Sequence, residues 1–463
     1  MVASDLKLDK LKQSVATRLL FGNDPTPELI AILTVYFVQG ILGLSRLAVS
    51  FFLKDDLGLS PAQVSALVGV AALPWVVKPL FGFLSDGLPL FNYRRRSYLV
   101  LSGLLGAIAW LALASVVHNA LSATLAMLLA SLSVAIADVI ADSLVVERVR
   151  GESYSEAGSL QALTWGTAAL GGLITAYLSG WLLERVSTQV VFAIVASFPL
   201  LVAAMAWFIV EEPVSAQLAA PHAAEPDEPG QLRRLWQAVR QPSIWLPTAF
   251  VFLWQATPSS DSALFFFMTN ELHFAPEFLG RVRLVVSLAA LVGVWLYHRF
   301  LRWLPFRVIL GWTTLLSSLL GLTTLLLVTH TNRSLGIDDH WFSLGDSLIL
   351  TVMGQIAFMP VLVLAARLCP PGIEATMFAL LMSIWNLAGL LSHETGALLT
   401  QWLGVTETEF GNLWLLVLIA NLSSLLPLPF LHWLPSQDEE ARRDAQRALA
   451  QVEPPTSSLS TSP

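Results

Sequence analysis

Charge is scarce in this chain: Asp, Glu, Lys and Arg make up 13% of its 463 residues, against 55% hydrophobic. Soluble domains carry about 25% charged residues, so the composition points away from an aqueous globule. The mean hydropathy of +0.67 points the same way. Cysteine is almost absent. Cys369 stands alone, which excludes an internal disulfide and suits a small buried filler. Basic residues come singly or in threes and the net charge is −7, so there is no continuous basic face and no nucleic-acid partner is expected. No Gly-x-x-x-x-Gly-Lys-Ser/Thr loop, His-Glu-x-x-His zinc motif or Gly-x-Ser-x-Gly elbow occurs, so ATP-driven, zinc-hydrolytic and serine-hydrolase chemistries have no carrier. Neither metal nor cofactor is expected. The N-terminal stretch lacks an uninterrupted apolar core and a small-residue cleavage site, and reads as no signal peptide.

Long apolar runs are what the chain does have. About 20 apolar residues cross a bilayer, and twelve segments qualify: 28–53, 62–85, 97–117, 120–147, 157–183, 188–210, 243–269, 277–300, 307–330, 344–368, 373–402 and 411–434. An all-α membrane protein follows. Placing both termini in the cytoplasm puts most of the 26 Lys and Arg residues on the inner side, in keeping with the positive-inside rule. Lys54, Arg185, Arg281, Arg283 and Arg333 then fall outside. The expected organisation is a cytoplasmic segment 1–27, a six-helix bundle 28–210, a linker 211–242, a second bundle 243–434 and a partly disordered tail 435–463. The simplest destination is a bacterial-type inner membrane.

The two bundles look like copies. "RLAVSFFLKDDLGLSP" (46–61) aligns with "DSALFFFMTNELHFAP" (261–276) at an offset of 215, with Ala48, Phe51, Phe52, Leu57 and Pro61 repeated as Ala263, Phe266, Phe267, Leu272 and Pro276. Then "LPLFNYR" (88–94) resembles "LPFR" (304–307) on the same side. Two matches in order favour a duplicated six-helix half. Two such halves related by an axis along the membrane normal are the architecture of the major facilitator superfamily. The loop "GFLSDGLPLFNYRRRSYL" resembles that superfamily's Gly-x-x-x-Asp…Gly-Arg-Arg/Lys loop, with a longer spacer and Asn92-Tyr93 where a glycine often stands. The resemblance implies a gating role for Asp86 and Arg94, Arg95 and Arg96.

Charges inside the spans carry the functional argument. Arg46, Lys78, Asp138, Asp142 and Asp261 lie within apolar segments, and each costs roughly 2.5–3.5 kcal/mol at the bilayer centre, about 15 kcal/mol for all five. They must point inward, pair or titrate. Asp138 and Asp142, four apart, share a helix face. Gln39 shares a face with Arg46, and Gln255 with Pro258 and Ser262. Trp165 follows Gln161 by one turn in a polar stretch. One reading makes Arg46–Asp261 and Lys78–Asp138/Asp142 structural ion pairs. The other makes them the solute site, or a coupling and gating device with Lys78 and Arg148. A pair that breaks and reforms would be both.

Five segments, "YFVQGILGLSRLAVSFFLKDDLGLSP", "PWVVKPLFGFLSDGLPLFNYRRRSYL", "ADVIADSLVVERVR", "FLWQATPSSDSALFFFMTNEL" and "CPPGIEATMFALLMSIWNLAGLLS", resemble the folate-biopterin transporter family. The resemblance implies a carrier of folates or pterins in the bilayer, with a monomer as the expected unit. Proton symport is the leading expectation for its energy source. Another amphipathic metabolite or a drug-like compound is the alternative cargo. A membrane-embedded aspartyl protease is disfavoured, because Asp138 and Asp142 sit on one helix rather than facing across two.

Overall fold

The structure is a computed structural model describing residues 25–149, 154–211, 213, 236–237, 239–301, 303–369 and 374–435. The expectations for the N-terminal segment, most of the central linker and the tail lie outside these residues. A chain in lipid must satisfy its backbone internally, and the described residues are helical apart from short joints and one isolated bridge between Leu90 and Tyr93.

Ten helices among the described residues are long and apolar enough to cross a membrane: Pro27–Asp56, Pro61–Ser85, Arg96–Ser115, Ala120–Val145, Leu163–Leu183, Thr188–Phe208, Pro276–Leu301, Phe306–Val328, Asp339–Ala365 and Leu413–Trp433. These are spans one to six, eight to ten and twelve. The seventh expected span is broken: a helix Pro242–Gln255 stops and restarts at Asp261–Phe266. The eleventh, Glu374–Trp402, has the length but carries Ser392, His393, Glu394 and Thr395 in its interior.

The proposed repeat is visible in the backbone. Span one is helical over Pro27–Ile41, turns at Leu42–Gly43, resumes over Leu44–Phe51 and ends in a π turn, Phe52–Asp56. Span seven does the same and ends in a π turn at Phe267–Glu271, the same 215 residues on. The next turns match bond for bond. Leu57 N–H donates to the Phe52 carbonyl and Leu59 N–H to Leu53, while Leu272 donates to Phe267 and Phe274 to Met268. Both copies then need a left-handed residue, Gly58 (φ 61°) in one and His273 (φ 55°) in the other.

The halves meet along two seams, span five against span eight and span two against span eleven. At the first, a Cβ on Gly180 would lie 2.2 Å from the Pro276 carbonyl oxygen and 2.8 Å from the Gly280 Cα. Only a residue without a side chain lets the backbones approach so closely. The face carrying the 57–60 turn is tied further: Lys54 donates to Asn270 Oδ1 (2.8 Å), Ser65 Oγ to the His393 carbonyl (2.9 Å), and Glu277 N–H to Glu184 Oε1 (2.9 Å). Phe51 meets Phe265 edge-on at 5.3 Å.

Candidate functional site

The polar centre of the first half is built on a broken helix. Span two runs as Pro61–Ala71, Leu73–Val76 and Lys78–Gly87. Pro74 and Pro79 sit in first turns, where their missing N–H costs least. The break presents Lys78 at the start of the last piece. It also frees the Trp75 carbonyl, which accepts from Asn386 Nδ2 of span eleven at 3.1 Å.

Lys78 reaches span four. Its ammonium contacts Asp138 Oδ2 and lies 3.3 Å from Asp142 Oδ2. Span one closes the group: Gln39 Nε2 donates to Asp138 Oδ1 at 3.1 Å, and Tyr36 Oη to Asp142 Oδ1 at 2.5 Å. The Lys78 ammonium is also 5.6 Å from the centre of the Trp75 ring. The Asp138 side chain is 12% exposed, whereas that of Asp142 is 51% exposed. Two carboxylates therefore share one ammonium, and the surplus negative charge sits on the accessible one. Such a cluster can accept a proton or a pair of ligand donors.

Arg46 and Asp261 do not meet. Both are exposed, and neither makes an ion pair among the described residues. They hold equivalent positions in the repeat, on spans whose outer ends do touch at Phe51–Phe265 and Lys54–Asn270, yet no ion pair joins them. Gln255 and Ser262 flank the break in span seven and are half-buried. Ser392 Oγ donates to the Thr257 carbonyl there, while Ser259 N–H donates to the Ser392 carbonyl at 3.0 Å. Trp254 is committed, its Nε1 donating to Thr314 Oγ1 at 2.9 Å and its ring 6.0 Å from Trp385. Trp165 stands 63% exposed on span five. The backbone places Gln161, Asp86 and Arg148 on helices Tyr154–Leu183, Lys78–Gly87 and Ala120–Val149; their side chains lie outside the described part.

The arginine loop is held by a residue the sequence reading assigned to the linker. Glu211, just past span six, accepts from the backbone N–H groups of Arg94 (2.5 Å), Arg95 (3.1 Å) and Arg96 (2.9 Å). A carboxylate thus caps the first N–H groups of span three, where the helix dipole favours negative charge. Arg95 reaches Ser85 Oγ at 2.9 Å, and Arg96 lies over Trp207 at 4.6 Å. The glycine missing from the motif is replaced by Phe91 and Asn92, both left-handed (φ 49° and 72°). Asn tolerates that conformation better than most residues.

Three further residues escaped the sequence reading. Tyr36 lies one turn before Gln39 on the same face, a spacing that was available as a signal. Glu394 lies in span eleven against span two, its Oε1 buried without a hydrogen-bond partner. Arg283, placed on the outer side of the span 277–300 and given no role, lies two turns inside the helix Pro276–Leu296.

Comparison with known proteins agrees with this architecture. The model of the BT1 family matches residues 39–449. The folate-biopterin transporter of Synechocystis sp. is 63% identical over 437 residues, covering 94% of this chain and 87% of the relative. The probable folate-biopterin transporter 2 of Arabidopsis thaliana is 33% identical over 410 residues, covering 87% and 81%. Among solved structures, the nucleoside transporter NupG superposes with a TM-score of 0.67 at 13% identity, over 88% of this chain and all of that one. A D-xylose-proton symporter gives 0.65 at 15% identity, over 88% and 98%. The architecture is that of the major facilitator transporters, two six-span halves, as the repeat implied. The chain belongs to the BT1 family, whose relatives include folate-biopterin transporters, and is an integral membrane transporter rather than an enzyme.

Proposed function

We propose that this protein moves folates or pterins across the cell membrane by alternating access, driven by protons. The observation that carries the reading is the cluster of Lys78, Asp138 and Asp142 within the spans, closed by Gln39 and Tyr36 yet accessible at Asp142. Charge facing lipid costs too much to be kept there, so the open side of the cluster faces a water-filled path. A pterin presents an amide N–H beside an exocyclic amine, two parallel donors that one carboxylate accepts together. Asp142 offers that carboxylate, and exposed Trp165 offers a flat partner for the ring.

Alternation follows from the seams. The bonds Lys54–Asn270, Ser65–His393 and Glu184–Glu277 hold the 57–60 face shut. The excess of Lys and Arg near the 88–95 face makes that face cytoplasmic, so this is the state closed to the outside. A proton taken up by the pair cancels its surplus charge, and with that proton on Asp138 the Lys78 ammonium stays with Asp142, which remains free to take the pterin donors. Proton and substrate then ride on different carboxylates of one cluster, which is what symport requires.

Proteoliposomes loaded with the purified protein test the reading. Labelled folate and biopterin are expected to accumulate, faster under an inward proton gradient, and Asp142→Asn should lower the rate at least tenfold. Uptake of neither compound, with an unrelated amphipathic anion carried instead, would overturn the cargo. Uptake indifferent to the pH gradient would overturn the coupling.

A further inference from the structure

Glu394 stands about two turns from the outer end of span eleven, Glu374–Trp402. The residue is half-buried, and its Oε1 is buried with no hydrogen-bond partner among the described residues. That oxygen lies against span two of the other half: a Cβ on Gly69 would come within 2.7 Å of it and within 3.1 Å of the His393 Cβ. The missing side chain of Gly69 is the niche that holds the carboxyl. Bonds on both sides shut the niche. Ser65 Oγ donates to the His393 carbonyl at 2.9 Å, and the Ser259 N–H donates to the Ser392 carbonyl at 3.0 Å.

The helices packed on span eleven bring nothing to neutralise this carboxyl. Pro61–Ala71, Leu73–Val76, Pro242–Gln255 and Leu413–Ser423 contain no titratable residue. Lys78, on the next piece of span two, is engaged with Asp138 and Asp142. On span ten, Asp339 takes Arg333, His340 lies beside Asp338, and Asp346 is held by the hydroxyls of Thr323 and Thr324. Asp86 and Arg367 belong to the inner ends of their helices, and Asp261, two residues past Ser259, carries the same sign. His393 forms no ion pair with Glu394, and its Nδ1 is buried without a partner as well. An ionised carboxylate buried without donor or cation is unfavourable, and the neutral acid far less so. Once spans two and eleven part, water reaches the group and the ion is favoured instead.

We infer that Glu394 is a proton-operated latch on the outer gate, neutral when spans two and eleven close over it and ionised when they part. This rests on the alternating-access reading above, with the 57–60 face outermost, and adds a second titrating group to it. Closing takes one proton from the outer water onto the carboxylate, and opening returns that proton to the same water. The latch therefore carries no net charge across the membrane; the proton that travels with cargo rides on the Asp138–Asp142 pair. The sign follows from the balance. Because closing consumes a proton, acid outside favours the closed gate and alkali the open one. An acidic outer side thus promotes closing over bound cargo.

The test reads the gate directly, with no substrate present. Val116 and Leu335 are exposed at the outer ends of spans three and nine, one in each half. Val116→Cys and Leu335→Cys, in a Cys369→Ala background, carry nitroxide labels whose separation is measured by pulsed electron resonance in lipid nanodiscs. With native Glu394 the short separation should dominate at about pH 5, and the ratio of long to short should rise about tenfold or more by about pH 8. Glu394→Gln, neutral at every pH, should keep the short separation throughout. Gly69→Ala, whose methyl fills the niche, should weaken the response. Asp142→Asn and His393→Gln should both retain it, which assigns the titration to neither the inner cluster nor the histidine. Glu394→Gln should unfold at no lower temperature than the native residue at about pH 8, since it loses no protein partner. A full pH response in Glu394→Gln, its absence with native Glu394, its loss in His393→Gln, or a marked drop in the unfolding temperature of Glu394→Gln would overturn the latch. If separations follow pH as expected while proteoliposomes take up neither folate nor biopterin, the cargo assignment fails and the latch stands.

Discussion

The two halves share a backbone and differ in their charges. Spans one and seven break at matching places, end in matching π turns and feed matching left-handed residues. At the same offset Arg46 becomes Asp261, and Lys78 becomes Gly293. The first half accordingly gathers its charge into a bonded cluster. In span ten, the counterpart of span four, Asp346 is held by the hydroxyls of Thr323 and Thr324. The arginine loops differ as sharply. In the first half Glu211 from the end of span six caps the N-terminus of span three. In the second, Arg307 at the start of span nine donates to the carbonyls of His432 and Leu434 at the end of span twelve. The joint is the same and the sign of the clasp is opposite. Backbone geometry is fixed by packing on every side; a charge needs only one partner, which either end of the joint can supply. After duplication the charges were free to specialise while the helices were not.

The largest effect is expected where that asymmetry is removed. Lys78→Met leaves Asp138 and Asp142 without a cation, and losing one partner of a buried pair costs about 3 kcal/mol. Folded protein recovered from membranes should fall severely. A double change, Lys78→Met with Asp138→Leu, should restore thermal stability and leave uptake at background. If uptake also returned, the cluster would be a structural pair and the halves would differ in nothing that transport uses.

The clasps come next. Glu211→Ala strips three N–H groups of their acceptor and should cost about 2 kcal/mol. Arg307→Ala removes bonds to carbonyls at a freer helix end and should cost about 1 kcal/mol. Unfolding temperatures of the two variants give the order directly; the reverse order would mean that the basic clasp is the stronger joint.

The smallest effect sharpens the repeat itself. His273 occupies a conformation that Gly58 takes without strain in the first half. His273→Gly should stabilise by about 0.5–1 kcal/mol, read as a small rise in unfolding temperature, and leave uptake unchanged.

Most of this architecture was legible because hydrophobic length is a strong signal. Twelve apolar segments, a repeated stretch and a basic inner side lead to two six-span halves without any side-chain geometry. The polar cluster was legible in part. Lys78, Asp138 and Asp142 stand out because charge in lipid is costly, and the spacing of the aspartates sets them on one face. What joins them was harder to read. A sequence does not say that span two breaks again at Val77, and it is that break which aims Lys78 at span four. The expected Arg46–Asp261 pair failed for a related reason, since complementary charge at equivalent repeat positions says nothing of proximity across the axis. Glu211 was missed because its partners are backbone N–H groups, which every residue has.

The paired π turns at Phe52–Asp56 and Phe267–Glu271 bear on the history of the chain. A π turn holds one residue more than an α turn, the mark of a single inserted codon. Two independent insertions landing in the same register, each followed by the same pattern of hydrogen bonds, would be a coincidence. The extra residue was thus already present in a six-helix ancestor, and the gene copied itself with the irregularity in place.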